Sequence, residues 1–288
     1  MQATTKASSD ATPRETFVRP ETVIRQIQQS SRYFFSAAEF AGLTGKEVGS
    51  PSVEKALHRL AKAGVIQRVT RRPSGWLIVP PEQAHYGAPP VSWWLDDCMQ
   101  GLEPNYYVAL LSAARHWGSA HYALQTTQVM VGRPRPALTP GKLIVEFFSK
   151  RSLAETPTTV VTTDVAPWRV STREATLYDL VRHPADIGGL ESIVRIAKDL
   201  GPELSGDEIT KAANAMGVIP AAQRLGFLFD YLKLTHPANR LDEWLSSRRT
   251  QRQSLEPGAI AEQDAFLVNE RWNVQYSQMQ LNVLEEVA

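Results

Sequence analysis

Three short apolar periods open the chain, each with the spacing of a helix. Val23, Ile24 and Ile27 fall on one face behind Pro20, a residue suited to the first turn of a helix. Ser36-Ala37-Ala38-Glu39 has the Ser-x-x-Glu spacing of a capping box and predicts a second, short helix ending near Gly42. Gly42, Gly45 and Gly49 mark a turn before Ser50-Pro51, and from there Val53, Leu57 and Leu60 recur at helical intervals until Gly64. Val65 to Thr70 and Trp76 to Val79 read as strands, joined by Arg71-Arg72-Pro73-Ser74-Gly75. Three helices followed by a hairpin predict a winged helix-turn-helix over residues 20–80. Residues 1–19 are polar and without an apolar period, which predicts a disordered lead-in.

Pro80-Pro81 and Pro89-Pro90 mark a boundary, and a second domain is predicted over residues 92–288. Val91 to Met99 reads as a short connecting helix, and Asn105 to Trp117 as a longer one closed by Gly118. Thr127–Val131, Leu143–Phe148, Thr159–Thr163 and Trp168–Val170 read as strands. Helical spacing returns over Arg173–Val181. It continues from Gly188 to about Ser247, with breaks at Gly201-Pro202, Gly217 to Pro220 and His236-Pro237. The end of the chain carries Phe266, Trp272 and Tyr276 with no clear period. The fold class is therefore α+β: an N-terminal winged helix-turn-helix, then a mixed α/β C-terminal domain, helical from about residue 173 and with a helical C-terminal extension.

Composition changes this picture in one respect. The 288 residues carry a net charge of only +1. Residues 1–90, however, hold 12 Lys and Arg against 7 Asp and Glu, while the remainder holds 19 against 23. A basic first part joined to a slightly acidic second part fits a nucleic-acid module carried by a partner domain. Cys98 is the only cysteine, which excludes an intrachain disulfide and a Cys-based zinc site. Met1 to Arg19 has no apolar stretch of signal-peptide length, and no run of about 18 apolar residues occurs, so a cytoplasmic protein without a membrane span is expected.

The third helix is the candidate reader of DNA. If Val53, Leu57 and Leu60 face inward, a rotation of about 100° per residue turns Lys55, His58, Arg59 and Lys62 outward. Side chains of this kind on an exposed helix face are what major-groove readout requires. Ser50 and Ser52 stand at the helix start, where backbone N–H groups favour a phosphate. Arg68, Arg71 and Arg72 lie on or beside the hairpin. Between Ser50 and Arg72 there are six Lys or Arg and one acid, Glu54. Contact with about six phosphates predicts a log–log salt slope of about −5, at roughly −0.9 per phosphate.

From Pro20 to about Leu200 the chain resembles the AbiEi family, antitoxins of type IV toxin–antitoxin systems. Three stretches carry the resemblance. Ser52-Val53-Glu54-Lys55-Ala56-Leu57-His58-Arg59-Leu60-Ala61-Lys62-Ala63-Gly64-Val65-Ile66 is a phrase common to many winged helices. Tyr106-Tyr107-Val108-Ala109-Leu110-Leu111-Ser112-Ala113-Ala114, with His116-Trp117-Gly118 and then Val129-Met130-Val131, is similar to the family's opening helix and the strand it enters. Val170-Ser171-Thr172-Arg173-Glu174-Ala175-Thr176-Leu177-Tyr178-Asp179-Leu180 resembles its Arg-Thr-Leu-Leu-Asp-Leu signature, with Ala175 where the family usually has a basic residue. The resemblance implies an autorepressor that binds inverted repeats in its own promoter; such repeats usually mean two protomers, a possible dimer on the DNA. It also implies that the protein counteracts a nucleotidyltransferase-type toxin, often without a stable complex, and that the second domain serves cooperative binding and neutralisation. No catalysis and no cofactor are implied.

Two other readings stand beside this one. A ligand-responsive regulator without a toxin would use the aromatic set Trp93, Trp94, Tyr106, Tyr107 and Trp117 as a pocket, although such a set more often packs a core. A winged-helix-fused nuclease would need acids for magnesium beside a lysine, and Glu146, Lys150 and Asp164 are the one trio available. Asp179, among Leu177 and Leu180, is expected to cap or to bridge to an arginine. His116 and His121 are too far apart around a Gly-Ser break to share a metal on one helix. No phosphate-binding Gly-x-x-x-x-Gly-Lys loop and no Gly-x-Ser-x-Gly elbow occurs.

Overall fold

The computed structural model describes residues 18–119, 126–257 and 266–287. The predicted lead-in, apart from Val18 and Arg19, lies outside them. The chain then forms α1 (Pro20–Gln29), β1 (Phe34–Ser36), α2 (Ala37–Leu43), α3 (Pro51–Lys62), β2 (Ile66–Thr70) and β3 (Gly75–Ile78). The three helices and the hairpin fall where the apolar spacing puts them. β1 has no counterpart in the apolar pattern. It has only three residues, too few to display alternation, and exists because it pairs antiparallel with β3 in a sheet of order β1-β3-β2. Val23, Ile27, Phe35, Phe40, Val53, Leu57, Leu60 and Ile78 close one core between these elements.

Half of the predicted capping box forms. Ser36 Oγ accepts from the Glu39 N–H at 3.0 Å. The Glu39 carboxylate, instead of reaching back to the cap, takes Arg32 at 2.6 Å, and Arg32 also reaches Asp97 at 3.3 Å. A charged donor is the stronger competitor for a carboxylate than a neutral backbone N–H.

α4 (Leu95–Leu102), β4 (Tyr106–Val108), α5 (Leu110–His116), β5 (Thr126–Val131), β6 (Ile144–Ser149), β7 (Thr158–Thr162), β8 (Pro167–Ser171) and α6 (Arg173–Leu180) follow. A five-stranded mixed sheet has the order β6-β5-β4-β8-β7. The single helix expected over Asn105–Trp117 is corrected here: its first residues are the central strand β4, and only Leu110 onward is helical. All three residues of β4 are buried, so the strand shows no alternation and runs into the apolar helix behind it without a change of pattern. The turn between them is sharp, with Leu110 at φ 52°. Buried Gln128 on β5 supports it, its side-chain carbonyl accepting from the Leu111 N–H at 2.9 Å.

The helical part comprises α7 (Gly189–Leu200), α8 (Gly206–Met216), α9 (Ile219–Tyr231) and α10 (Thr235–Ser246). The third break lies before Thr235, not at His236-Pro237. Pro237 sits in the first turn of α10, where its missing N–H would have had no intrahelical partner. The chain end is not purely helical: β9 (Gln253–Ser254), β10 (Leu267–Asn269) and β11 (Val274–Tyr276) form a small sheet before α11 (Gln278–Val287). Buried Trp272 anchors it. The indole lies so close over Gly226 of α9 that a Cβ there would overlap the ring, and its Nε1 donates to Asp230 at 2.6 Å. No described helix is long and apolar enough to cross a membrane.

The first six elements do not stand apart from the rest. Leu77 of β3 belongs to the same buried cluster as Trp94, Leu95, Cys98, Met99 and Tyr106, and Tyr33 stacks on Trp93 with ring centroids 4.9 Å apart. Cys98 at this junction is fully buried, and burial pushes its thiol up to about 12, with Asp97 adding to the rise and Arg135 opposing it. At pH 8 its thiolate is then about a ten-thousandth of the total. Labelling of the folded protein by a soluble disulfide reagent at pH 8 should be at least about 100-fold slower than in urea. Equal rates would place Cys98 in solvent contact.

Candidate nucleic-acid interface

The face of α3 opposite Val53, Leu57 and Leu60 presents Lys55, His58, Arg59 and Lys62, all exposed. Ser50 and Ser52 lie at its start with their hydroxyls 3.3 Å apart, and no side chain caps the first turn. These six do not act alike. Arg59 is drawn to the α1 side by Glu21, at 2.6 Å, in an exposed pair. Lys55 and His58 face the hairpin instead. They line a groove of about 630 Å³ that Val48, Arg68, Ser74 and Trp76 complete.

Within the hairpin, Arg68 is positioned from two sides. Its guanidinium lies 5.2 Å from the Trp76 ring centre and donates to Ser74 Oγ at 3.3 Å, which also accepts from Trp76 Nε1 at 3.2 Å. Arg71 and Arg72 occupy the turn, exposed, with no hydrogen bond or ion pair to another described residue. On the far side of the hairpin is a second groove of about 560 Å³, lined by Arg68, Arg71, Arg72 and Arg135. The sequence-predicted residues thus divide. Lys55, His58 and Arg68 share one groove, Arg68, Arg71 and Arg72 share the other, and Arg59 and Lys62 line neither. Arg135 is a lining residue that the helical and strand periods do not single out. The signal available for it is Arg133-Pro134-Arg135-Pro136, a basic, proline-interrupted run between two strands.

The suggested nuclease trio does not assemble. Glu146 is exposed on β6 and Asp164 is exposed after β7, whereas Lys150 turns inward. Its ammonium donates to Thr156 Oγ1 at 2.7 Å, Tyr107 Oη at 3.2 Å and Asp179 Oδ1 at 3.3 Å. Strand alternation over four residues would put Glu146 and Lys150 on one face, but β6 ends at Ser149 and Lys150 lies beyond it. Asp179 is fully buried and also accepts from Tyr107 Oη at 2.7 Å. Asp179 also bridges to an arginine, as expected: Arg182 lies 3.8 Å away, farther than Lys150. Burial pulls the Lys150 ammonium below the usual lysine range, and Asp179 partly offsets this.

Ala175, where the family signature usually has a basic residue, is wholly buried. Arg173 is committed elsewhere, to Glu203 and to the Trp117 ring, 4.4 Å from its guanidinium. Trp94, Tyr106 and Tyr107 are core residues. His116 packs on Trp117, and burial, then Arg173, lowers its pKa. His121 lies outside the described residues. Among the described residues no group of three or more His, Cys, Asp or Glu could hold a metal ion.

These features define a class first: mixed α+β proteins in which a small unit of three helices and a hairpin, basic on one face, packs onto a larger sheet-and-helix body. Residues 107–231 match the family model described as the AbiEi antitoxin C-terminal domain. The match begins in β4, ends with α9, and contains Tyr107, Lys150 and Asp179. It also extends past Leu200, where the sequence resemblance stops. The fold is similar to that of the Rv2827c protein from Mycobacterium tuberculosis, with a TM-score of 0.63 and 15% identity over 93% of this chain and 94% of that one. No curated protein matches the chain.

Proposed function

We propose that residues 20–80 are a winged helix-turn-helix domain that binds duplex DNA, and that residues 92–288 are the antitoxin-type domain. The protein then acts in the cytoplasm as the autorepressor and antitoxin of a type IV system. It binds inverted repeats in its own promoter, as two protomers, and counteracts a nucleotidyltransferase-type toxin. The carrying observation is that exposed Lys55 and His58 of α3 line one groove with Arg68, and Arg68 lines a second with Arg71 and Arg72, which have no partner among the described residues. α3 is the reading helix, Ser50 and Ser52 meet a phosphate at its start, and Arg59 and Lys62 flank the contact. In this reading the protein has no catalysis of its own, which fits the bonding of Lys150 and Asp179 to each other and to Tyr107.

A gel-shift titration with the DNA upstream of the gene, against scrambled DNA and at rising salt, tests the first half. The expected result is selective binding whose affinity falls with a log–log salt slope of about −5. Equal affinity for both duplexes would end the repressor reading. The second half is tested by co-expression with an adjacent nucleotidyltransferase gene, where relief of growth arrest is expected and persistent arrest would overturn it.

A further inference from the structure

We propose that the groove between the β2–β3 hairpin and the segment after β5 is a phosphate site for the backbone of duplex DNA, with Arg135 of the second part as one of its ligands. The proposal rests on the DNA-binding reading and extends it beyond the winged helix. Four arginines, Arg68, Arg71, Arg72 and Arg135, line the groove, and no acidic residue does. Like charges gathered without counter-charge repel one another until an anion joins them.

Arg135 gives the second observation, independent of the charge count. Its guanidinium lies over the Phe147 ring, 5.5 Å from its centre, and its Nη1 is buried without a hydrogen-bond partner among the described residues. A buried charged donor without an acceptor is a rarity that calls for an explanation. A planar guanidinium fork is suited to phosphate oxygens. Arg68 is held in advance, by Trp76 and Ser74.

Placement chooses the source of the phosphate. Arg68 lines both this groove and the one beside α3, so the two are adjacent at the hairpin. A duplex seated on Lys55 and His58 runs its backbone over the hairpin toward Arg135. The hairpin is also backed by the second part, since Pro73 of its turn lies against Gly101 of α4. The wing and the loop after β5 are then a single clamp, and the second part touches DNA directly.

The test uses the full chain, its own upstream duplex, a scrambled duplex and a salt series, for the wild type, Arg135→Gln, Arg135→Lys and Lys55→Gln. Arg135→Gln is expected to weaken both duplexes by the same factor, about 5- to 10-fold, and to make the salt slope shallower by about 1, with an unchanged melting temperature. Arg135→Lys keeps the charge but not the fork, so it should keep the slope while still weakening binding. Weakening by Lys55→Gln with no effect of Arg135→Gln would overturn the groove and leave the winged helix standing. A wild type that binds no duplex would overturn both. Inorganic pyrophosphate is the second probe. If it stabilises the wild type thermally and not Arg135→Gln, while DNA binding ignores Arg135, the groove serves a free polyphosphate and the DNA assignment is overturned.

Discussion

Asp179→Ala should lower the unfolding free energy by about 3–5 kcal/mol, the usual consequence of removing one partner from a buried ion pair. Both side chains are withdrawn from water: that of Lys150 is 4% exposed and that of Asp179 not at all. The substitution strands the Lys150 ammonium with Thr156 and Tyr107 as its remaining partners, and leaves the Tyr107 hydroxyl without the acceptor it holds at 2.7 Å. Urea denaturation followed by circular dichroism measures the loss. Asp179→Leu combined with Lys150→Met should recover much of it, because the penalty lies in the unpaired charge and not in the absence of the pair. A loss below about 1 kcal/mol for Asp179→Ala would show that solvent or Arg182 rescues the ammonium, and that the node does not hold α6 to the sheet.

The second large effect concerns DNA. Arg71→Ala with Arg72→Ala is expected to weaken binding to the upstream duplex by about 10- to 100-fold near 0.1 M salt. The salt slope should become shallower by about 2, roughly one for each phosphate that is no longer neutralised. Selectivity over scrambled DNA should persist, since phosphate contacts position a protein without reading bases. Melting temperature should not move, because both side chains are exposed and without partners among the described residues. Unaltered affinity would remove the wing from the DNA surface.

These two experiments address residues of very different legibility. Arg71 and Arg72 stand out in the sequence because a charge pair in a turn between two strands is a local feature. Asp179 is visible there only as an acid in an apolar helix, and its expected arginine partner, Arg182, lies farther from it than Lys150. Its other partners, Lys150 and Tyr107, are 29 and 72 residues away in the chain. Alternation alone would group Lys150 with Glu146, since it says which face a strand residue takes but not where the strand stops. Arg135 shows the same limit. Its basic, proline-interrupted run is legible, whereas its approach to the hairpin depends on how two parts of the chain pack.

The amino-acid sequence alone determined α1 to α3, the hairpin, the outward face of α3 and most of the later helices. Each rests on a period or a turn residue acting within about ten positions. Packing decided the rest: β1, β4 and the small C-terminal sheet, the inward turn of Lys150, and the meeting of Arg135 with the wing. Strands of two or three residues carry no period, and a central strand buried on both faces shows no alternation, so neither announces itself. A side chain's local pattern tells it whether to leave water. Which distant group then satisfies its charge or its hydrogen bond is fixed only when the elements close on one another, because that partner is chosen by proximity in space and leaves no mark in the spacing of the chain.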